Sequence, residues 1–355
     1  MVYHIIFLVL IFFSDFIINN IRLKNRRKIE VIVVGILIFL FAALRAPEIG
    51  VDIPGYCKDY LIDAKLSMKE IFLYRQGRDP VFHVFIKLLS YISRDPQFML
   101  AVVGAVEAIS LSIFAYHQKG NLLLFYLLFI GLRIFPFTLS GLRQTMAMSI
   151  CWLAFVQLQK GKKLRFCLIT LLACLFHATA IVSILILPIC LMKNNKLFYS
   201  GLGVFSILYI LVGNTLFEKV LHIIMPGRFN GYISRAEAAG FDLGMTNILY
   251  ILFFAFCVFA YWRNRKNNTD LEPQLRLSSV VVVVTLISTV FPNMFRIGYY
   301  FVIFLLPLFS ESVRRTFVKS QYRLICFVMS AMLFAQYIIL GPGANTDMYR
   351  FFWQG

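Results

Sequence analysis

Long apolar runs separated by short basic stretches recur along the whole chain. The first runs from Val2 to about Asn19 and is followed by Arg22, Lys24, Arg26, Arg27 and Lys28. A secretory signal carries its positive charges ahead of its apolar stretch, so the reversed order predicts a retained span with an outside N-terminus. Further runs cover roughly 29–44, 97–116, 121–139, 142–158, 164–192, 197–213, 245–262, 277–292, 295–311 and 321–340. Basic stretches fall at Lys160–Arg165, Lys193–Lys196, Arg263–Lys266 and Arg314–Arg323. Lys and Arg collect in cytoplasmic loops, and that preference sets the parity of the crossings. The run 164–192 is long for one span, and a single crossing there forces basic stretches to the outside. Splitting it near His177 returns every strong basic stretch to the cytoplasm, as two short tilted helices or a re-entrant hairpin. The same parity makes Pro80–Ser93 an amphipathic helix on the outer surface. The pattern therefore predicts an all-α integral membrane protein, a polytopic bundle of about twelve transmembrane helices. It forms a single membrane domain over 1–355, with both termini outside and larger outer loops at about 45–96 and 214–243.

Composition agrees and removes other classes. Of 355 residues, 60% are hydrophobic and 15% charged, with a mean hydropathy of +0.79. Soluble domains are about 45–50% apolar and about 25% charged, so a soluble fold is excluded. The net charge of +18 suggests nucleic acid in a soluble chain. Here the predicted cytoplasmic segments hold about 20 basic and 4 acidic residues, so the surplus reports topology and not a nucleic-acid partner. The seven cysteines are an odd number without metal-ligand spacing and read as packing residues. No Walker loop, HExxH or GxGxxG after a strand is present, which argues against ATP-driven transport by this chain alone.

The chemistry-bearing residues lie at the predicted outer boundary. Arg45 ends the second run, followed by Glu48, Gly50, Asp52 and Tyr56. Arg143 and Gln144 open another run after Ser140-Gly141, where backbone N–H groups and a guanidinium point the same way, an arrangement suited to phosphate. Arg296 follows an outer turn; Arg133 and Glu107 lie deep in their runs, Glu107 as an internal ion-pair partner for one arginine. For each arginine two readings stand, an interfacial anchor or a ligand contact. His177 interrupts the most apolar part of the chain, either as a satisfied core residue or as a base. Arg228, Tyr232 and Arg235 in the second outer loop are a solvated loop or a polar cap. Several arginines with one histidine and several acids and tyrosines fit a phosphate-bearing lipid reached from outside.

At these residues the chain resembles the bacterial Wzy/EpsG-like polysaccharide polymerases. The matching pieces are Arg45-x4-Gly50-x-Asp52-x3-Tyr56, then Arg78-Asp79-Pro80-Val-Phe82 ahead of an amphipathic helix. Ser140-Gly-Leu-Arg143-Gln144, Leu175-Phe-His177-Ala-Thr-Ala180 and Arg228-Phe-Asn-Gly-Tyr232 follow in order, with Arg296 a weaker match. Asp79 stands where the family more often has Glu, and Ala-Pro-Glu follows Arg45 where an aromatic is common. The resemblance implies a polymerase joining oligosaccharide repeat units carried on undecaprenyl diphosphate, at the periplasmic or outer face of the cytoplasmic membrane. It implies no metal, cofactor or nucleotide sugar, and as partners a flippase and a chain-length regulator. For the reaction it implies, the expected roles put the departing diphosphate on Arg143, Arg45 and Arg296 and the acceptor's proton on His177, with Asp52 as the competing base. Tyr56, Tyr232, Arg228, Arg235, Gln144 and Glu48 join the substrate-binding set.

Two rival classes use overlapping features. A transporter or lipid flippase calls for internal repeats and midplane polar groups, and the chain shows no repeat. A glycan ligase would use the same arginines and histidine.

Overall fold

The computed structural model describes residues 2–21, 23–75, 79–224, 244–263, 269–288 and 295–354. The described chain is all-α, its one extended pairing an isolated antiparallel bridge between Arg45 and Phe351. It divides into two compact units, one of Met1–Ile184 with Val313–Gly355 and one of Leu185–Ser312. Among the described residues five helices are long and apolar enough to cross a membrane: Val2–Asn20, Pro96–His117, Met245–Arg263, Thr269–Ser288 and Gln321–Leu340. Phe295–Val302 and Leu305–Thr316 make a sixth if that pair, bent by 46°, is one span. The apolar windows of Val2–Asn20, Met245–Arg263 and Gln321–Leu340 are only 28%, 22% and 22% buried. Helices that leave so much apolar surface uncovered need hydrocarbon around them, as in a multi-pass membrane protein.

The first unit begins with α1 (Val2–Asn20) and α2 (Arg26–Ala43). The segment expected to lie outside is largely helical: α3 (Ile53–Asp63), α4 (Met68–Tyr74) and, where the amphipathic helix was expected, α5 (Pro80–Ser90). Each start is legible in local chemistry. Pro54 occupies the first turn of α3, where a missing N–H costs nothing. Ser67 and Glu70 form a reciprocal capping box on α4, and Pro80 opens α5. Ile53, Tyr56, Tyr60, Phe82 and Ile86 pack into one apolar cluster with Leu100 and Val103 of α6 (Pro96–His117) and Leu142 and Met146 of α9 (Leu142–Gln159). Polar residues between them made this stretch read as loop, but their spacing leaves an apolar stripe on each short helix.

The run 121–139 is also two helices, α7 (Leu122–Gly131) and α8 (Ile134–Thr138). They break at Arg133, which adopts φ 59° and donates from Nη2 to the carbonyls of Leu340 and Gly341 at 2.8 and 3.1 Å. Its charge thus caps the carbonyl end of the last long helix. Glu107, expected in an ion pair, accepts a hydrogen bond from the Thr138 hydroxyl, with Arg45 as the nearby positive charge. The break expected in 164–192 is present: α10 (Lys163–Phe176) stops at His177, and a 3-10 segment, Ala178–Leu185, follows.

At one end of the first unit Arg27 donates to the carbonyls of Ala115, Tyr116, Gln118 and Gly120, closing the C-terminus of α6. At the other end the last residues of the chain lie along the segment after α2. Ala46 N bonds to Arg350 O at 3.0 Å, Gly50 N to Asn345 O at 3.2 Å and Phe352 N to Leu44 O at 3.0 Å. Both chain ends meet here, since Thr346 O bonds the His4 ring at 2.7 Å.

Gly50 is needed in this layer. Its φ is +109°, and an added Cβ would lie 2.8 Å from Leu139 O and 2.7 Å from Ile53 Cγ1. Gly50→Ala is expected to destabilise the protein by about 1–3 kcal/mol through a disfavoured backbone and a clash with a carbonyl. Thermal unfolding in detergent reads this, and an unchanged midpoint would show that the turn relaxes freely.

The second unit contains α11 (Ile186–Leu191), α12 (Asn195–Ile224), α13 (Met245–Arg263), α14 (Glu272–Ser288), α15 (Phe295–Val302) and, as far as Ser312, α16 (Leu305–Thr316). α12 continues to Ile224, through the first part of the segment expected as the second outer loop. Apolar residues at helical spacing run on past 214, and no proline appears before Pro226. Arg276 donates to Ile189 O at 3.0 Å and to Asn195 Oδ1, tying α14 to the α11–α12 turn. The final helix, α17 (Lys319–Leu340), returns to the first unit.

Candidate functional site

Three chain breaks bring three side chains together. Gly141 precedes α9, so Arg143 lies in that helix's first turn. Asp52 N donates to Ser140 Oγ at 3.2 Å, which fastens the turn to the segment after α2. His177 follows α10 in an extended conformation, φ −157° and ψ 117°, while its own N–H still bonds Ala173 O. Asp79 precedes Pro80, whose ring disfavours the ordinary helical conformation at the residue before it. It adopts φ 51° and ψ 64°, a left-handed conformation that Asp tolerates better than most residues.

The Asp79 carboxylate joins the other two. Oδ2 accepts from Arg143 Nη1 at 3.2 Å and lies 3.1 Å from His177 Nδ1. Oδ1 accepts from the Ala178 backbone N–H at 3.4 Å. Arg143 Nε donates to Tyr56 OH at 3.3 Å, and its guanidinium lies 5.5 Å from the Tyr56 ring centroid. Nη2 has no protein partner among the described residues. The side chains of Arg143, Asp79 and His177 are 30%, 15% and 22% exposed, so a ligand can reach them.

Burial pushes the Asp79 carboxyl up, but the hydrogen bond and charge of His177, then Arg143 and the Ala178 N–H, outweigh it and hold it below the usual carboxylate range. Asp79 is therefore an anion at neutral pH. With that anion against Nδ1, the contact assigns the ring proton to Nδ1 and leaves Nε2 as the open acceptor. The group unites a guanidinium with a free edge, an imidazole with a free lone pair, and a carboxylate that orients both.

Behind it lies a second, closed network. Asp63, fully buried at the end of α3, accepts from Arg75 Nε and Nη2 at 3.0 and 2.8 Å through Oδ1. Its Oδ2 is 2.6 Å from His83 Nδ1, and Arg75 also pairs with Asp59 at 3.1 Å. Asp63 thereby ties α3, which carries Tyr56, to α5, which Asp79 begins.

The residues singled out in the sequence divide unevenly. Arg143, His177 and Tyr56 come together, and Asp52 is anchored beside them through its backbone. Gln144, the third residue of α9, is 3% exposed. Arg45 is 2% exposed, donating to Ala42 O, with Gln97 on its own carbonyl at 3.0 Å. Glu48 pairs at the surface with Arg350 at 3.2 Å. Arg296 lies near the start of α15 in the second unit. Arg228, Tyr232 and Arg235 lie outside the described residues. Sequence reasoning passed over Asp79 as a site residue, and did not single out Asp63, Arg75 or the Asp63 link of His83. The available signal was an Asp-Pro dipeptide in a strained helix start, with a His four residues on.

The model of the EpsG family matches residues 28–352. No curated protein and no solved structure matches the chain significantly.

Proposed function

The chain belongs to the EpsG family, a family linked to polysaccharide biosynthesis, and from that premise we propose that it is a polysaccharide polymerase. It joins oligosaccharide repeat units carried on undecaprenyl diphosphate at the outer face of the bacterial cytoplasmic membrane, crossing that membrane about twelve times. The product is O antigen, capsule or exopolysaccharide. The observation that carries this reading is the partly exposed Arg143–Asp79–His177 group.

In the proposed reaction an acceptor hydroxyl attacks the anomeric carbon of the donor chain. The bond from that carbon to the diphosphate oxygen breaks, the new glycosidic C–O bond forms, and the hydroxyl proton passes to His177 Nε2. Asp79 stabilises the imidazolium as it forms. Arg143 meets the diphosphate, whose negative charge grows as it leaves, with its free Nη2 edge. Tyr56 steadies the guanidinium from behind at 3.3 Å. Arg45, with its guanidinium buried, supports the segment carrying Asp52 in this scheme. The Asp79 contact at 3.1 Å favours His177 over Asp52 as the base.

The test is reconstitution of the purified protein in vesicles with lipid-linked repeat units and no flippase, reading polymer length on a gel. His177→Ala is expected to lower polymerisation about 10²–10⁴-fold, with Asp52→Ala milder. A wild-type ladder from His177→Ala would transfer the base to Asp52, and no ladder from the wild-type protein would reject the polymerase reading.

A further inference from the structure

One oxygen of Asp79 serves two partners that a catalytic cycle has reason to separate. Oδ2 faces Arg143 Nη1 at 3.2 Å and His177 Nδ1 at 3.1 Å, so the carboxylate's charge is divided between a permanent cation and an imidazole. We propose that the diphosphate of the donor takes Arg143 away from Asp79, leaving the carboxylate to His177 alone, so that donor binding arms the base. The proposal rests on the diphosphate-donor reading above and adds an order of events to it.

The asymmetry of the three groups says which one moves. Asp79 is held at both ends: its backbone begins α5 ahead of Pro80, and its Oδ1 is engaged by the Ala178 N–H. His177 is fixed between the end of α10 and the 3-10 segment, its N–H bonded to Ala173 O and its C=O to Ala180 N. Arg143 carries its charge on a long side chain and is the most exposed of the three at 30%. Its Nη1 contact to Asp79 and Nε contact to Tyr56, at 3.2 and 3.3 Å, are both long for hydrogen bonds. A diphosphate offers paired oxygens and more negative charge than a carboxylate, and guanidinium favours such two-point contacts. The exchange breaks one charge-assisted hydrogen bond and forms two.

Its effect on His177 follows from charge. While Arg143 sits on Oδ2, a positive charge competes for the carboxylate that stabilises the imidazolium. Once Arg143 has left for the diphosphate, that competition ends and Nε2 becomes the stronger proton acceptor. Among the described residues, the charged and titratable groups facing this cluster are Asp79 and His177 themselves, Arg143 from α9, Tyr56 and Asp59 from α3, and Asp52 ahead of α3. Asp79 is a positioning residue in this scheme, acting on substrate only through its two partners.

The experiment uses the full-length protein in nanodiscs and inorganic pyrophosphate as the probe. Asp79→Asn keeps the shape of the side chain and frees Arg143, so pyrophosphate is expected to bind on the order of tenfold tighter than to wild type. Turnover of the lipid-linked substrate is expected to fall at least about 10²-fold, so that KM and kcat decline together. A removal of simple repulsion would also tighten binding, so modification of His177 by diethyl pyrocarbonate at pH 8 supplies the deciding reading, because a neutral imidazole with a more basic Nε2 is the better nucleophile. Pyrophosphate is therefore expected to speed modification of wild type, and to speed Asp79→Asn far less despite binding it more tightly. Asp79→Ser serves as a second charge-free variant should Asp79→Asn fail to fold, and Asp79→Glu is expected to restore wild-type behaviour. An equal change of modification rate in wild type and the charge-free variants, a slowing in wild type, or unchanged pyrophosphate affinity overturns the exchange. Pyrophosphate binding that survives Arg143→Ala, or no binding by any form, rejects the diphosphate-donor reading itself.

Discussion

Arg143→Lys is expected to remove polymer formation while the protein stays folded in the membrane. The guanidinium directs Nε to Tyr56 at 3.3 Å and Nη1 to Asp79 at 3.2 Å and leaves Nη2 without a protein partner among the described residues. These three directions are fixed by one planar group. A lysine ammonium is a compact point charge on a flexible stem and cannot span Tyr56, Asp79 and a diphosphate together. It keeps the charge but loses the two-point contact with a group whose charge grows in the transition state. Losing one preorganised donor of this kind costs about 10²–10³-fold in rate, roughly 3–4 kcal/mol. The rate of ladder growth in reconstituted vesicles measures it, with the melting midpoint expected within a few degrees of wild type because Arg143 is partly exposed. Wild-type chain lengths from Arg143→Lys would show that charge alone suffices and that the guanidinium has no directional role.

Asp63→Ala is expected to be the most destabilising single substitution in the helical layer after α2. The carboxylate is fully buried, and its two oxygens take both Arg75 contacts and the His83 contact at 2.6 Å. Removing it leaves a buried imidazole and a mostly buried guanidinium without their main partner. Breaking a buried pair in this way costs about 3–5 kcal/mol. Arg75 keeps Asp59 at 3.1 Å, which places the expectation toward the lower end of that range. Hydrogen exchange should quicken first in α5, because His83 is its link to α3. Polymerisation should fall as well, since Tyr56 and Asp79 lose their fixed separation. Asp63→Asn, which retains one acceptor oxygen, should fall between. Unchanged exchange in α5 of Asp63→Ala would mean that apolar packing alone positions that helix.

The two predictions concern groups that differ in how far sequence disclosed them. Arg143 was visible because a glycine turn precedes it at the start of an apolar run, a purely local arrangement. The break at His177 followed from charge counting across many crossings and appears as the end of α10. The amphipathic helix at Pro80 was readable from its apolar spacing. Asp63 and Arg75, by contrast, are ordinary charged residues in a polar stretch, and nothing in their neighbourhood separates a buried carboxylate from a solvated one. Arg133 looked like a charge buried inside a span. Its helix is broken there to suit a partner some 200 residues away, the carbonyl of Leu340. Arg45 shows the reverse, a residue that looked available and is enclosed at 2% exposure.

The sequence by itself determined the environment of the chain. Apolar periodicity and the distribution of Lys and Arg record how each short segment partitions between hydrocarbon and water, and partitioning depends on local composition. It also marked most places where helices start or stop, because proline, glycine and capping residues act on their immediate neighbours. Only the tertiary structure decided which charges meet. Asp79 and His177 are 98 residues apart, and Glu48 and Arg350 302. A charged pair is selected by distance and burial after the helices have packed, and those are properties of the packed helices, not of any segment alone.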